Sequence, residues 1–234
     1  MEESVDKSTQ SARQKQARET VRRLGIEDAY PFENRFLVTP MGAMHYVDEG
    51  TGHPVLMLHG NPTWSFLYRN FISEISKEHR VISPDHIGFG LSDKPSVEAD
   101  YSLENHVANL QQLVISLDLS NITLVVQDWG GPIGLTVAAR NPERFRAIVL
   151  MNTFGFYPPV EGADPESLKL PLPLRTMRSP GLGDFLVRRV GMFERIAMPT
   201  AVASKHAWKE VRNAYRDVFQ GPRDRGGVMA FPRL

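Results

Sequence analysis

An α/β architecture, with a doubly wound and mostly parallel sheet under a helical cap, follows from three features of the sequence. Short apolar runs rich in β-branched residues alternate with stretches of helical spacing, which implies parallel strands joined by crossover helices. The runs Pro54–Leu58, Ile122–Val126 and Ala147–Met151 are continuous rather than alternating, as expected of strands covered on both faces. After Asn152 the alternation stops, and prolines followed by amphipathic segments replace it. A length of 234 residues accommodates one α/β domain with an insert. The expected organisation is a polar extension over residues 1–30, a core over 31–153 and a helical cap region over 154–234.

Residues 1 to about 20 are polar and mixed in charge, consistent with a solvated helix or with disorder. Val21, Leu24 and Ile26 are the first candidate anchors. Two short strands are expected at Arg35–Val38 and Met44–Val47, then a turn at Asp48–Gly52. The buried run Pro54–Leu58 leads into the loop His59-Gly-Asn-Pro-Thr-Trp64. Ser65–Lys77 is predicted helical, with Phe66, Leu67, Phe71, Ile72 and Ile75 as its apolar set. Arg80–Ser83 is a short strand, followed by a glycine-punctuated loop from Pro84 to Ser92. Leu103–Leu117 carries Val107, Leu110, Leu113, Val114 and Leu117 on one helical face. Ile122–Val126 is the central strand, Pro132–Ala139 a helix ended by Asn141-Pro142, and Ala147–Met151 a further strand. Residues 154–180 hold Pro158, Pro159, Pro165, Pro171, Pro173 and Pro180 and are expected to be irregular. Helices are predicted over Leu182–Val190 and Ser204–Phe219, the second presenting Trp208, Val211, Tyr215 and Val218.

Composition narrows the function. Lys plus Arg and Asp plus Glu are both 27, a formal net charge of zero that disfavours a nucleic-acid binder while leaving local basic patches such as Arg188-Arg189 open. Cysteine is absent, which excludes disulfides, thiolate metal sites and a cysteine nucleophile. The N-terminus is acidic and polar, unlike a secretory signal, and no run reaches the length of a membrane span. A soluble cytoplasmic protein without cofactor or metal is the expectation, with a small apolar substrate as its partner.

The chemistry centres on Gln127-Asp-Trp-Gly-Gly131. A strand that turns abruptly into a helix presents one side chain at the tip of the turn, the position of a hydrolase nucleophile. Here that side chain is Asp128. A carboxylate displaces a leaving group at saturated carbon to form an ester, which water can hydrolyse; serine would leave a stable ether. An aspartate in such a turn could instead serve only as a helix N-cap. Val126 departs from the elbow pattern, which has glycine two residues before the nucleophile. The backbone amides of Asn61 and Trp129 are expected to meet at one point, as oxyanion donors. The Asn61 side-chain amide and the Trp129 indole are neutral donors suited to a departing anion.

Three motifs, His59-Gly-Asn-Pro-Thr-Trp64, Asp85-His-Ile-Gly-Phe-Gly-Leu-Ser-Asp93 and Gln127-Asp-Trp-Gly-Gly131, occur in order, and together they resemble the haloalkane dehalogenases of the α/β-hydrolase superfamily. The resemblance runs from about Tyr30 to the end of the chain. It implies the α/β-hydrolase fold, Asp128 as nucleophile, and Asn61 and Trp129 as halide-stabilising residues acting on an alkyl halide. Within that family the chain looks most like the branch of the β-lactone decarboxylases of olefin biosynthesis. Epoxide hydrolases are a further relative, and Tyr157 and Tyr215 keep that reading open, although Asn61 favours the dehalogenase branch.

The resemblance also implies a late histidine and an acid. After Asp128 the only histidine is His206, which reads as a polar helix-surface residue. The Met151-Asn-Thr153 region offers no carboxylate. His59 and His86 sit in loop motifs and are expected to hydrogen-bond the backbone there. The sequence-level expectation is therefore a fragment or truncated product, inactive in turnover, with the strand ending at Met151 an exposed edge and the chain poorly soluble. A remnant that only binds a small apolar ligand or a partner is the corresponding non-enzymatic alternative.

Overall fold

The computed structural model describes residues 2–96, 100–155, 172–202 and 204–234. Six strands form one sheet: β1 (Arg35–Thr39), β2 (Gly42–Glu49), β3 (Pro54–Leu58), β4 (Arg80–Pro84), β5 (Ile122–Asp128) and β6 (Phe145–Thr153). Their order is β1-β2-β4-β3-β5-β6. The β1–β2 and β2–β4 pairs are antiparallel, and β4–β3, β3–β5 and β5–β6 are parallel. The sheet is thus mostly parallel, with antiparallel pairing confined to the β1–β2 end. Leu56, Leu58, Ile82, Ile122, Leu124 and Val126 are fully buried, as the continuous apolar runs require of central strands.

The polar N-terminal stretch is helical, α1 spanning Glu2–Leu24. Its last turns are anchored by Val21 and Leu24, with Ile26 just beyond, all buried. Arg13 pairs with Asp93 at 2.8 Å, and Arg23 donates to the Asp217 carbonyl at 3.0 Å. The helix therefore braces both the core loop and the C-terminal helices. Helix α3 (Leu103–Ser116) buries Val107, Leu110, Leu113 and Val114 and is N-capped by the Ser102 hydroxyl. Helix α4 (Gly130–Arg140) follows β5 directly.

Three local expectations are corrected. The segment after the 59–64 loop is a 3₁₀ turn, Ser65–Tyr68, running into α2 (Arg69–Ile75), and Phe71 on it is 50% exposed. Phe71 borders an apolar trough of about 570 Å³ against Met57, Val125, Val149 and Met151 on the sheet face, so its ring packs at a groove wall, not in the core. Irregular chain was expected as far as Pro180, yet α5 covers Leu172–Arg178. Pro173 is tolerated because first-turn N–H groups have no helical acceptor. The Leu182–Val190 stretch is helical but broken, α6 (Leu182–Asp184) passing into a π-helix (Phe185–Val190) that ends at Gly191 with φ +71°.

A second π-helix (Phe193–Ala197) leads to α7 (Met198–Ala201), α8 (Lys205–Arg216) and α9 (Gly226–Ala230). Helix α8 is capped by Ser204 and buries Tyr215, with Trp208 and Val211 packed at the core margin. Glu194 and Arg225 form a buried ion pair that ties the second π-helix to the segment before α9. The expectation that Ala147–Met151 is covered on both faces is also corrected: β6 is the edge strand at the other end of the sheet, and Ile148, Val149 and Leu150 are 45%, 44% and 62% exposed. No helix among the described residues is long and apolar enough to cross a membrane. Tyr157 and Pro158, Pro159, Pro165 and Pro171 lie outside the described residues.

Candidate active site

Asp128 is the last residue of β5 and has φ +49°, a left-handed conformation that a side chain other than glycine adopts rarely. The β5–β6 register shifts at this point, and the Thr153 hydroxyl donates to the Asp128 carbonyl at 2.6 Å. Strand pairing and this hydroxyl hold the turn, so the carboxylate stands at the carboxyl end of the sheet. Val126, where the elbow pattern has glycine, is accommodated across the turn. A Cβ on Gly134 would lie 2.9 Å from Val126 Cγ1, so the glycine one helical turn into α4 makes the room.

Two backbone amides address the Asp128 carboxylate. The Asn61 N–H donates to Oδ1 at 2.8 Å, and the Trp129 N–H also hydrogen-bonds it. Burial pushes the Asp128 pKa up, and these two donors pull against that. Gly60 sits against the same group: a Cβ there would lie 2.3 Å from both Asp128 Cβ and Oδ1. Gly60→Ala is therefore expected to fold but to displace the carboxylate, lowering covalent capture of an alkyl halide at least roughly 100-fold, the scale of an ångström misplacement. Unchanged capture by mass spectrometry would show that the contact is not limiting.

The side chains of the two proposed anion donors are placed differently. The Asn61 amide donates to the Val228 carbonyl at 3.2 Å, while its Oδ1 is buried without a partner. The amide carries a second N–H beyond the one given to Val228. The Trp129 indole is stacked on Phe231, centroids 5.0 Å apart at 11°, with Phe154 edge-on at 5.2 Å. Phe231 also stacks on Phe89 at 5.0 Å, so the indole lies in an aromatic layer. Phe231, Val228 and Thr153 carry no local motif. Only the long-range packing of α9 and β6 brings them to Asp128.

The motif around Asp85 is structural. Asp85 is fully buried and accepts from the Ser65 N–H at 2.8 Å, the Leu91 N–H at 2.8 Å and His45 Nδ1 at 2.9 Å. Burial raises its pKa, but His45 and the amide bonds outweigh that and hold the carboxyl below the usual range. It clamps the loop bearing Asn61 to the loop that supports Phe89.

The histidines fall into distinct places. His59 Nε2 accepts the His86 N–H at 2.9 Å, so Nδ1 carries the proton given to the Gly60 carbonyl at 2.9 Å. His86 Nε2 in turn donates to the His59 carbonyl at 3.1 Å. Both loop histidines thus bond the backbone, as their positions imply. His106 lies beyond His86 at 5.8 Å between ring centroids, and both its ring nitrogens are buried without partners. His206 is 87% exposed and faces Glu210 at 3.1 Å on α8. Among the described residues no histidine hydrogen-bonds Asp128. The Tyr215 ring packs against Phe66 and Trp208, at 5.6 and 6.4 Å.

Residues 53–221 match the model of the alpha/beta hydrolase fold family. A cis-3-alkyl-4-alkyloxetan-2-one decarboxylase of Shewanella oneidensis is 42% identical over 208 residues, covering 88% of this chain and 64% of that protein. Haloalkane dehalogenase 2 of Mycobacterium tuberculosis is 38% identical over 204 residues, covering 87% and 68%. The chain therefore spans about two thirds of the length of these relatives. Among solved structures, the haloalkane dehalogenase DatA of Agrobacterium tumefaciens superposes with a TM-score of 0.74 at 32% identity, covering 86% of this chain and 67% of that one. By sequence and fold alike, this chain belongs to the α/β hydrolase fold family, in the group that holds the haloalkane dehalogenases and the oxetanone decarboxylase.

Proposed function

We propose that this chain performs the displacement chemistry of a haloalkane dehalogenase, with Asp128 as nucleophile. The observation that carries the reading is the Asp128 carboxylate, half-buried at the tip of a left-handed turn and met by the Asn61 amide at 2.8 Å. An Asp128 oxygen attacks the carbon bearing the halogen. The C–O bond forms as the carbon–halogen bond breaks, and the electron pair leaves with the halide. The Trp129 indole N–H and the second N–H of the Asn61 amide are the donors for that anion. Water attack on the resulting ester would place negative charge on the carbonyl oxygen. The Asn61 and Trp129 backbone amides, already aimed at this carboxyl group, are the donors for that charge. Residues 154–234 act in this reading as the cap: Val228 holds Asn61, and Phe231 holds Trp129.

A second reading has its own support, the 42% identity to the oxetanone decarboxylase. Attack of Asp128 on the saturated ring carbon bonded to the ring oxygen would break that C–O bond and open a β-lactone to an aspartyl ester with a free carboxylate. Loss of carbon dioxide with departure of the Asp128 carboxylate then yields an alkene. That sequence restores the nucleophile without a hydrolytic water. The two readings separate by product. Bromide release from 1-bromobutane supports the first, and alkene from a cis-dialkyl β-lactone the second. Neither product, with Asp128 unmodified after long incubation, would overturn both.

A further inference from the structure

A net charge of zero conceals a strong segregation. Residues 172–234 carry twelve Lys and Arg against five Asp and Glu, whereas residues 1–171 carry fifteen against twenty-two. The C-terminal segment is thus basic by seven charges, and the rest of the chain is acidic by the same number. The same helices expose large apolar side chains: Leu172 is 74% exposed, Leu182 55%, Phe185 56% and Ile196 55%. Three of these, Leu172, Leu182 and Phe185, lie on the α5–α6–π-helix segment with Arg175, Arg178 and Arg189. Those three arginines are exposed and form no ion pair among the described residues. The segment's one acid, Asp184, is engaged by Arg188 at 3.3 Å and Arg233 at 2.8 Å.

We infer that this segment is a docking surface for an anionic lipid bilayer. Exposed arginines beside exposed leucine and phenylalanine side chains match a bilayer's two layers, anionic headgroups over an apolar interior. A nucleic acid would use the cations but gives aliphatic side chains nothing to enter. With no helix that crosses a membrane among the described residues, the association is peripheral and reversible. This surface is independent of which reaction Asp128 performs.

The test is co-sedimentation of the full chain with phosphatidylcholine vesicles, with and without phosphatidylglycerol, over a range of salt. Binding is expected only with phosphatidylglycerol, and it should weaken as salt rises. At about fivefold per basic side chain, the combined Arg175→Gln, Arg178→Gln and Arg189→Gln variant should lose roughly 100-fold in partitioning. Leu182→Ser with Phe185→Ser should also lose binding to these vesicles. All five side chains are exposed or half-exposed, so circular dichroism and urea midpoints should not change. Equal sedimentation with pure phosphatidylcholine would overturn the proposal. So would retention of binding by the Leu182/Phe185 variant together with tighter binding to a DNA duplex, which would assign the basic surface to a nucleic acid.

Discussion

Incubated with 1-bromobutane, the chain is expected to gain the mass of one butyl group, and Asp128→Asn is expected to gain none. An amide oxygen is a far weaker nucleophile than a carboxylate, and removing a nucleophile of this kind lowers rates by roughly 10⁴-fold or more. The adduct should persist in the wild-type chain, since among the described residues no histidine reaches Asp128 to activate water. His206 is exposed on α8, and burial holds His59, His86 and His106 in their neutral forms with ring nitrogens turned to the backbone or left unpaired. The rate of capture should fall with acid sooner than for an ordinary aspartate. Burial raises the Asp128 pKa, so the reactive carboxylate is protonated at a higher pH than usual. Peptide mapping that located the butyl group on another residue would sink the assignment. Many equivalents of bromide per chain would show that some base does reach the ester.

How much of this was legible in the sequence depends on the range of the interaction. Strand β5 and helix α3 follow from local periodicity, and both appear within a residue or two of their expected ends. The meeting of Asn61 with Asp128 depends on a non-local pairing of β3 with β5, yet it is readable because each residue sits in a motif. Val228 and Phe231 are different. They reach Asn61 and Trp129 through the packing of α9 and of the 3₁₀ turn after it (Phe231–Arg233), and a lone valine and phenylalanine carry no signal of that. Helix α1 was ambiguous because its polar sequence has little apolar face; contacts such as Arg13 to Asp93 help to fix it. Net charge carries a different kind of limit, because it is silent on distribution. A sum of zero is compatible with an even surface or with two opposed halves, and only position along the chain distinguishes them.

Acidification is expected to weaken this protein at pH values above those at which its carboxylates titrate. Burial is the largest cause that lowers the pKa of His59, His86 and His106, with His106 brought down to about 3. In the unfolded chain each returns to about 6.5. Between those values the unfolded state binds protons that the folded state refuses, so stability is fully present above about pH 6.5 and is lost as pH falls. For His106 alone the loss by pH 5 is about 2 kcal/mol, a substantial share of the roughly 5–15 kcal/mol that holds a domain together. His59 and His86 act in the same direction. Asp128 acts oppositely, because a raised carboxyl pKa favours the folded state in mild acid, but it is one group against three. His106→Phe isolates the effect. Its ring nitrogens have no partners to lose, and its neighbours Phe231 and Tyr101 are aromatic, at 4.9 and 6.2 Å. Replacing an unsatisfied buried polar ring by an apolar one of similar shape is neutral or stabilising. Urea denaturation should therefore show this variant at least as stable at pH 7.5, and less sensitive to acid by about 2 kcal/mol at pH 5. A variant that loses as much stability as the wild type between those pH values would place the acid sensitivity elsewhere.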